Sequence, residues 1–496
     1  MNELIPLIII IPIIAALLLN LFMGKNKLIK ALAFVVGLGV PILTLITGYG
    51  LHYFGGHQPL ASSNLTNLPA FITNSTLYNL HPAITYAYTP LGKVFVFALG
   101  IVVFLSILTY LSSEDKPSGP FLFLVFMGTA AVSALILSDD LFNMYVFFEI
   151  AALIQTGIII ASNAKDNYET ALKYMILSSI GGPILLLGIT FLLAICGSVN
   201  ISDIALAVST LVQTPLSRSI VLFAFSLIFF GWLYVSGLPP FNVIKSLIYS
   251  KAEPYGSSVL QAMSLISLIA FVITMFRIFG SLDLFKWAMI LISILAMVLG
   301  VSMAVMQTDF RRMIAYLSVG ELGFVGLGFG LGGKFAITAG LFQGINEMLV
   351  TTLLFLGLGC VIYLTNTSDT RKLGGLIGKN TGMAIMILLG GFAMAGVPPF
   401  NGFRSKLMIV EAALNAGYPE IAVIIVLISI ATFVVFVKAY HSIFLKPQPK
   451  DLKFVKESIP KSMIFAVAVL LIICLVLGLY PGIVTNPISQ CIGGLL

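Results

Sequence analysis

Charge is what this chain lacks most. Only 9% of its 496 residues are Asp, Glu, Lys or Arg, against 59% hydrophobic, whereas a soluble domain carries about a quarter charged residues. That excludes a water-soluble globular protein and implies a polytopic membrane chain. Cysteine is scarce as well. Cys196, Cys360, Cys474 and Cys491 are scattered without CxxC spacing, so no iron–sulfur, zinc or disulfide framework is legible. There is no GxxxxGKS/T phosphate loop, no GxGxxG after a strand, no HExxH and no haem-attaching CxxCH. The chain is therefore read as having no cofactor, no metal and no catalytic redox centre, and its energy source as an ion gradient or partner subunits. The net charge of +7 is read as loop charge that sets topology, not as a nucleic-acid surface.

What is present is a duplicated interruption. Gly237-Leu238-Pro239-Pro240-Phe241-Asn242 recurs as Gly396-Val397-Pro398-Pro399-Phe400-Asn401, and Lys245-Ser246 recurs at the same offset as Arg404-Ser405. Each copy cuts a long apolar segment. Proline in a helix interior removes a donor and clashes with the preceding turn. In hydrocarbon such a break survives only where protein or a watered cavity satisfies the freed backbone groups. Corresponding broken helices in two halves of one chain point to a transport site between them.

Apolar runs of about 18 residues or more mark spans, and fourteen are predicted: 3–23, 29–50, 94–111, 120–138, 140–162, 172–196, 219–238 (continuing, broken, through 239–250), 257–277, 287–306, 312–331, 335–364, 382–414 (broken), 420–444 and 462–482. The apolar N-terminus, with no preceding basic region, reads as the first span and not a signal peptide. With the N-terminus outside, inside connections collect 18 of the 26 Lys and Arg residues, Lys165 and Lys245 among them, and outside connections only 5, Arg277 among them. This asymmetry predicts that both termini face out. The loop 52–92 contains no Lys or Arg, as an outer loop should, and holds the sequon-like triplets at Asn64 and Asn74.

Lys173-Tyr174-Met175-Ile176-Leu177-Ser178-Ser179 matches Asn346-Glu347-Met348-Leu349-Val350-Thr351-Thr352 in pattern. The expected fold is all-α, with two five-helix repeats whose odd span number inverts the second copy. The expected division is an N-terminal three-helix region with its polar loop at 1–111 and repeats at 112–280 and 281–445. A basic loop with the last helix fills 446–496.

A charge inside a span costs roughly 2.5–3.5 kcal/mol even on lenient scales, so each is a functional candidate. Glu149 lies in the fifth span; a carboxylate in apolar surroundings favours its neutral form, and a nearby lysine reverses that. The alternative reading of the same pair is static glue between two helices. Lys406 follows the second break and can exchange protons as arginine cannot, or can snorkel to the interface. Glu321, Glu347 and Glu411 are further candidates. Glu411 is five residues from Lys406 and so not on one helical stripe with it. Lys173 and Lys438 sit near helix ends as relay members or anchors. Asp309-Phe310-Arg311-Arg312 reads as an inside anchor, and His441 as interfacial.

These residues together resemble a known family: the antiporter-like membrane subunits of respiratory complex I, of archaeal membrane-bound hydrogenase and sulfane sulfur reductase complexes, and of Mrp-type sodium/proton antiporters. The resemblance spans essentially the whole chain. It rests on Phe147-Phe148-Glu149, Lys173-Tyr174, both Pro-Pro-Phe breaks, Arg312-Met313-Ile314-Ala315-Tyr316 and Gly402-Phe403-Arg404-Ser405-Lys406. It implies fourteen helices in two inverted five-helix repeats, a midplane chain of buried Glu and Lys carrying protons, translocation of H⁺, Na⁺ or both, and a cell-membrane complex with antiporter-like paralogues and a peripheral redox module. Glu149 and Lys406 match the family's fifth-span glutamate and twelfth-span ionisable residue. Departures exist too: 257–276 contains no charge where the family places a lysine, and Glu347 and Thr351 stand where it commonly has histidine and lysine. Three readings follow: an ion-translocating subunit with a shortened relay through Glu149, Glu347 and Lys406, a structural or coupling module beside an intact paralogue, or a stand-alone carrier.

Overall fold

Hydrocarbon offers a backbone no hydrogen-bond partner except itself, so each apolar run closes its own bonds as a helix. A computed structural model describes residues 5–21, 25–48, 50–54, 84–114, 116–161 and 167–492; Lys165, Asn64 and Asn74 lie outside them. Helices α1 (Ile5–Leu21) and α2 (Asn26–Ile46) lead to an antiparallel ribbon of β1 (Gly50–Phe54) and β2 (Ile84–Tyr88), with Gly50 opposite Tyr88 and Phe54 opposite Ile84. Four helices follow: α3 (Pro90–Ser113), α4 (Gly119–Leu137), α5 (Leu141–Ala161) and α6 (Asn167–Cys196). A short helix α7 (Ile201–Leu211) precedes the first broken helix, α8 (Pro215–Ser236) with α9 (Asn242–Lys251), and α10 (Pro254–Phe279) ends that half. The second half has α11 (Asp283–Val305), α12 (Phe310–Leu331) and α13 (Gly333–Thr365), then the second broken helix, α14 (Thr381–Ala395) with α15 (Asn401–Asn415). Helix α16 (Pro419–Tyr440) runs into a π-turn at His441–Leu445, followed by α17 (Lys461–Leu479) and α18 (Gly482–Ile492).

Twelve of these helices are long and apolar enough to cross a membrane. The shorter α1 and the interrupted α14–α15 complete the fourteen crossings read from the sequence. Three elements were not expected: the ribbon between α2 and α3, the amphipathic α7, and α18. Helix α7 buries Ile201, Ile204, Val208 and Leu211, and the Asn200 side chain caps it by accepting from the Ser202 and Asp203 amides. Helix α18 packs on α3 and α13.

The duplication has a structural echo beyond the breaks. Asp140 pairs through its backbone with Asn200, and Asp309 pairs with Asp369 at the same separation. Each aspartate caps the helix it precedes, Asp140 accepting from the Asn143 amide at 2.6 Å and Asp309 from the Arg312 amide at 3.1 Å. Helices α5 and α12 are thus equivalent members of the two inverted five-helix repeats. Arg277 pairs with Asp139 at 2.7 Å and the Ser202 hydroxyl at 2.7 Å, tying the C-terminal end of α10 to the N-terminal ends of α5 and α7.

Burial sorts the helices. Every residue in the apolar window of α12 is buried, and α10 and α13 are nearly as enclosed, whereas in α2 and α16 only 33% of the window is buried. The candidate site therefore lies among α10, α12 and α13, with the two broken helices on either side.

Candidate functional site

Both breaks are built alike. Gly237 and Gly396 end α8 and α14 in the left-handed conformation, with φ of 68° and 83°, a region that side chains with a Cβ enter at a cost of roughly 1–2 kcal/mol. Each Pro-Pro bond is cis. After each break the chain resumes as a short helix that carries a lysine back under its own glycine. The aliphatic stem of Lys245 packs on Gly237, and that of Lys406 on Gly396. Both lysines are buried, 3% and 4% exposed.

In the second repeat the Lys406 ammonium donates to Glu321 Oε1 at 2.8 Å and to the Met394 carbonyl, freed by the break, at 2.7 Å. It also lies 4.8 Å from the centre of the Phe324 ring. The other carboxylate oxygen of Glu321 accepts from Gln343 Nε2 at 2.8 Å, and Gln343 Oε1 accepts from the Ser405 hydroxyl at 2.6 Å. One turn along α13 from Gln343, Glu347 accepts from Thr351 at 2.5 Å and from Gln261 Nε2 of α10 at 3.5 Å. Asn401, the last residue of the repeated motif, donates to Asn346 Oδ1 at 2.9 Å, and Asn346 returns a bond to the Asn401 carbonyl at 3.2 Å. That exchange satisfies polar groups exposed by the break and clamps it to α13.

In the first repeat the Lys245 ammonium donates to Gln155 Oε1 at 3.2 Å, Tyr174 OH at 3.2 Å and Ser264 Oγ at 3.0 Å. Its partners come from α5, α6 and α10, and all are neutral. Ser264 and Tyr174 also donate to Gln155 Oε1, at 2.8 and 3.2 Å. A cavity of about 10 Å³ beside the ammonium is lined by Ser236, Ser267 and Trp232, close to the least volume that holds one water molecule. The Trp232 indole N–H, which has no acceptor among the described residues, belongs to that lining.

The two networks meet on α10, where Ser264 and Gln261 are one turn apart. Buried polar groups therefore run from Gln155 and Lys245 through Ser264, Gln261, Glu347, Gln343 and Glu321 to Lys406, crossing from one repeat to the other. All of them are at most 7% exposed.

The sequence-based candidates fare unequally. Lys406, Glu321 and Glu347 come together in this row. Lys245 does not belong to an exposed inside connection as its sequence position implies: α9 folds back beneath the break and buries it. No lysine pairs with Glu149 among the described residues. It is half-buried on α5, its carboxylate lying against Gly182 of α6. Lys173 is exposed and pairs with Glu169 of its own helix. Glu411 is exposed on α15; the acid that meets Lys406 is Glu321 of α12, 85 residues away along the chain. Sequence reasoning missed Lys245, Gln155 and Gln261. The signal for Lys245 was its offset of only a few residues from a Pro-Pro break, as for Lys406.

The family model for the NADH:quinone oxidoreductase/Mrp antiporter transmembrane region matches residues 138–432. The chain belongs to that family. It is an antiporter-like membrane subunit of the ion-translocating Mrp/complex I class. An uncharacterised protein of Methanocaldococcus jannaschii is 36% identical over 97% of this chain and 96% of its own length. A subunit of a Na(+)/H(+) antiporter of Alkalihalophilus pseudofirmus is 27% identical over 84% of this chain and 82% of its own. The fold matches a chain in the Mrp complex from Dietzia sp. with a TM-score of 0.83 at 20% identity, covering 100% of this chain and 97% of that one. The family match spans α5 to α16 and so contains the whole buried row of this antiporter-like subunit.

Proposed function

We propose that this subunit carries protons sideways through the membrane along the row from Lys245 to Lys406. It would do so within a cell-membrane complex that exchanges or pumps H⁺, with Na⁺ as the coupled ion of an antiporter assembly. Both termini face outside in this reading, 112–280 and 281–445 are the two repeats, and the partners are antiporter-like paralogues. Where the complex is driven by electron transfer, a peripheral redox module joins them. One observation carries the proposal: two lysines occupy the same place beneath two breaks and are joined by hydrogen-bonding groups never more than a helical turn apart. Burying ionisable groups this deeply is costly, and replacing a buried pair by apolar residues is often neutral or stabilising. Their presence is therefore not explained by stability. Glu149 at the half-buried edge of α5 extends the row toward a neighbouring subunit, whereas exposed Lys173 and Glu411 stand outside it.

A structural or coupling module is the second reading, favoured by the Lys406–Glu321 contact, which a static pair would also make. Lys245→Met separates the two. Gln155, Tyr174 and Ser264 are neutral, so losing the ammonium strands no charge and the complex should assemble in wild-type yield. Uncoupler-sensitive ion exchange by the intact complex in vesicles should then collapse. Wild-type exchange by the assembled variant would reject the relay and leave the structural module standing.

A further inference from the structure

Helix α16 presents Val426, Ile430, Phe433 and Val437 along one face, three or four residues apart, the spacing of a single helical stripe, and His441, the first residue of the π-turn, follows four residues on. The first part of that stripe lines an apolar groove of about 420 Å³ completed by Gly396, Phe403 and Leu407, with Lys406 as its charged member. The second part lines a recess of about 480 Å³ with Lys438, Ser442 and Lys446. Phe433 borders both, so the two cavities lie end to end. No carboxylate lines either among the described residues, and neither Lys438 nor Lys446 belongs to an ion pair among them.

We propose that this face binds one anionic phospholipid, its phosphate held by Lys438, His441, Ser442 and Lys446 and a hydrocarbon tail lying in the groove toward Lys406. The dimensions agree. Lys438 is twelve residues beyond Val426, about 18 Å along a helix, and half of a hydrocarbon core is about 15 Å. A headgroup at the lysines thus puts the tail's end at the depth of the second break. Topology-setting charge accounts for lysines on this side of the membrane, but not for a basic recess that adjoins an apolar groove at Phe433. A free anion would leave the groove unused, and a docked apolar helix would leave the lysines and His441 without a counter-charge. Ile430 of the groove and Val434 of the recess, 55% and 58% exposed, leave both open along the side of α16.

The experiment uses the intact complex, delipidated in detergent, with dioleoyl phosphatidylglycerol as the probe and native mass spectrometry and thermal unfolding as readouts. Wild type should retain one phosphatidylglycerol per copy at this site and be stabilised by it. Phosphatidylcholine or inorganic phosphate at equal concentration should do neither. Each lysine near an anionic headgroup is worth enough that Lys438→Gln with Lys446→Gln should bind about 30-fold more weakly, and Lys438→Arg with Lys446→Arg should restore binding. Ile430→Trp, which fills the groove without touching charge, should also displace the lipid. Undiminished binding in the Gln double variant and in Ile430→Trp would overturn the proposal. So would equal stabilisation by inorganic phosphate, which would mark a simple anion site, or crosslinking of position 430 to a neighbouring subunit in the lipid-replete complex.

Discussion

Replacing Lys406 by Met should harm this protein more than replacing Lys406 and Glu321 together. The two side chains are 6% and 3% exposed, so neither charge has water to fall back on. Removing the ammonium leaves the Glu321 carboxylate with Gln343 alone, and stranding a buried charge costs about 3–5 kcal/mol. Protonation of the carboxyl sets the upper limit, because a buried acid neutralises before it incurs the full desolvation penalty. Glu321→Gln strands the ammonium in turn, with only the Met394 carbonyl and the Phe324 ring left to it. The double variant Lys406→Met/Glu321→Gln removes both charges and keeps the volume, so its stability should equal or exceed wild type. The coupling energy should therefore be about 3 kcal/mol or more, at or above the upper end for residues in contact. Complex yield and the apparent unfolding midpoint in detergent read the stability arm. Ion exchange in vesicles reads the functional arm, where all three variants should fail. Losses that simply add in the double variant would refute the buried-pair reasoning. Undiminished exchange by an assembled double variant would remove Lys406 and Glu321 from the relay.

Glu149→Gln should leave assembly intact, since no cation among the described residues pairs with the carboxylate, yet should abolish ion exchange; normal exchange would take Glu149 out of the row. Gln261→Leu should keep stability within about 1–3 kcal/mol while uncoupling the halves, because the amide is the contact between α10 and Glu347, and full exchange by this variant would show that protons cross elsewhere. Gly396→Ala should lower the unfolding midpoint by the equivalent of about 1–2 kcal/mol, the cost of a Cβ in the left-handed region, and should weaken exchange by shifting the Lys406 stem; an unchanged midpoint would mean that the break relaxes freely.

Legibility was uneven for physical reasons. The spans were readable because the bilayer makes length and hydropathy nearly sufficient, and the breaks because two prolines after a glycine cannot continue a helix. The ribbon, α7 and α18 were not, since short amphipathic or extended segments between spans carry weak periodic signals. Glu321 and Glu347 could be named as candidates from their depth in apolar runs, but neither run says which group lies opposite. Aligning the two motifs pairs Lys245 with Arg404. Arg404 is exposed, while Lys245 is buried beside Ser264. The functional counterpart of Lys406 therefore sits two residues closer to its break than the alignment implies.

By itself, then, the sequence determined a fourteen-crossing membrane chain with two interrupted helices and acids buried in its spans, because hydrophobic length, proline chemistry and the cost of intramembrane charge act locally along the chain. Only the tertiary structure decided that Lys406 meets Glu321 and not Glu411, and that Glu149 meets no lysine among the described residues. It alone decided that Lys245 turns inward to neutral partners and that α10 joins the two networks. Those outcomes depend on which faces of separate helices pack together, and a one-dimensional spacing does not contain that information.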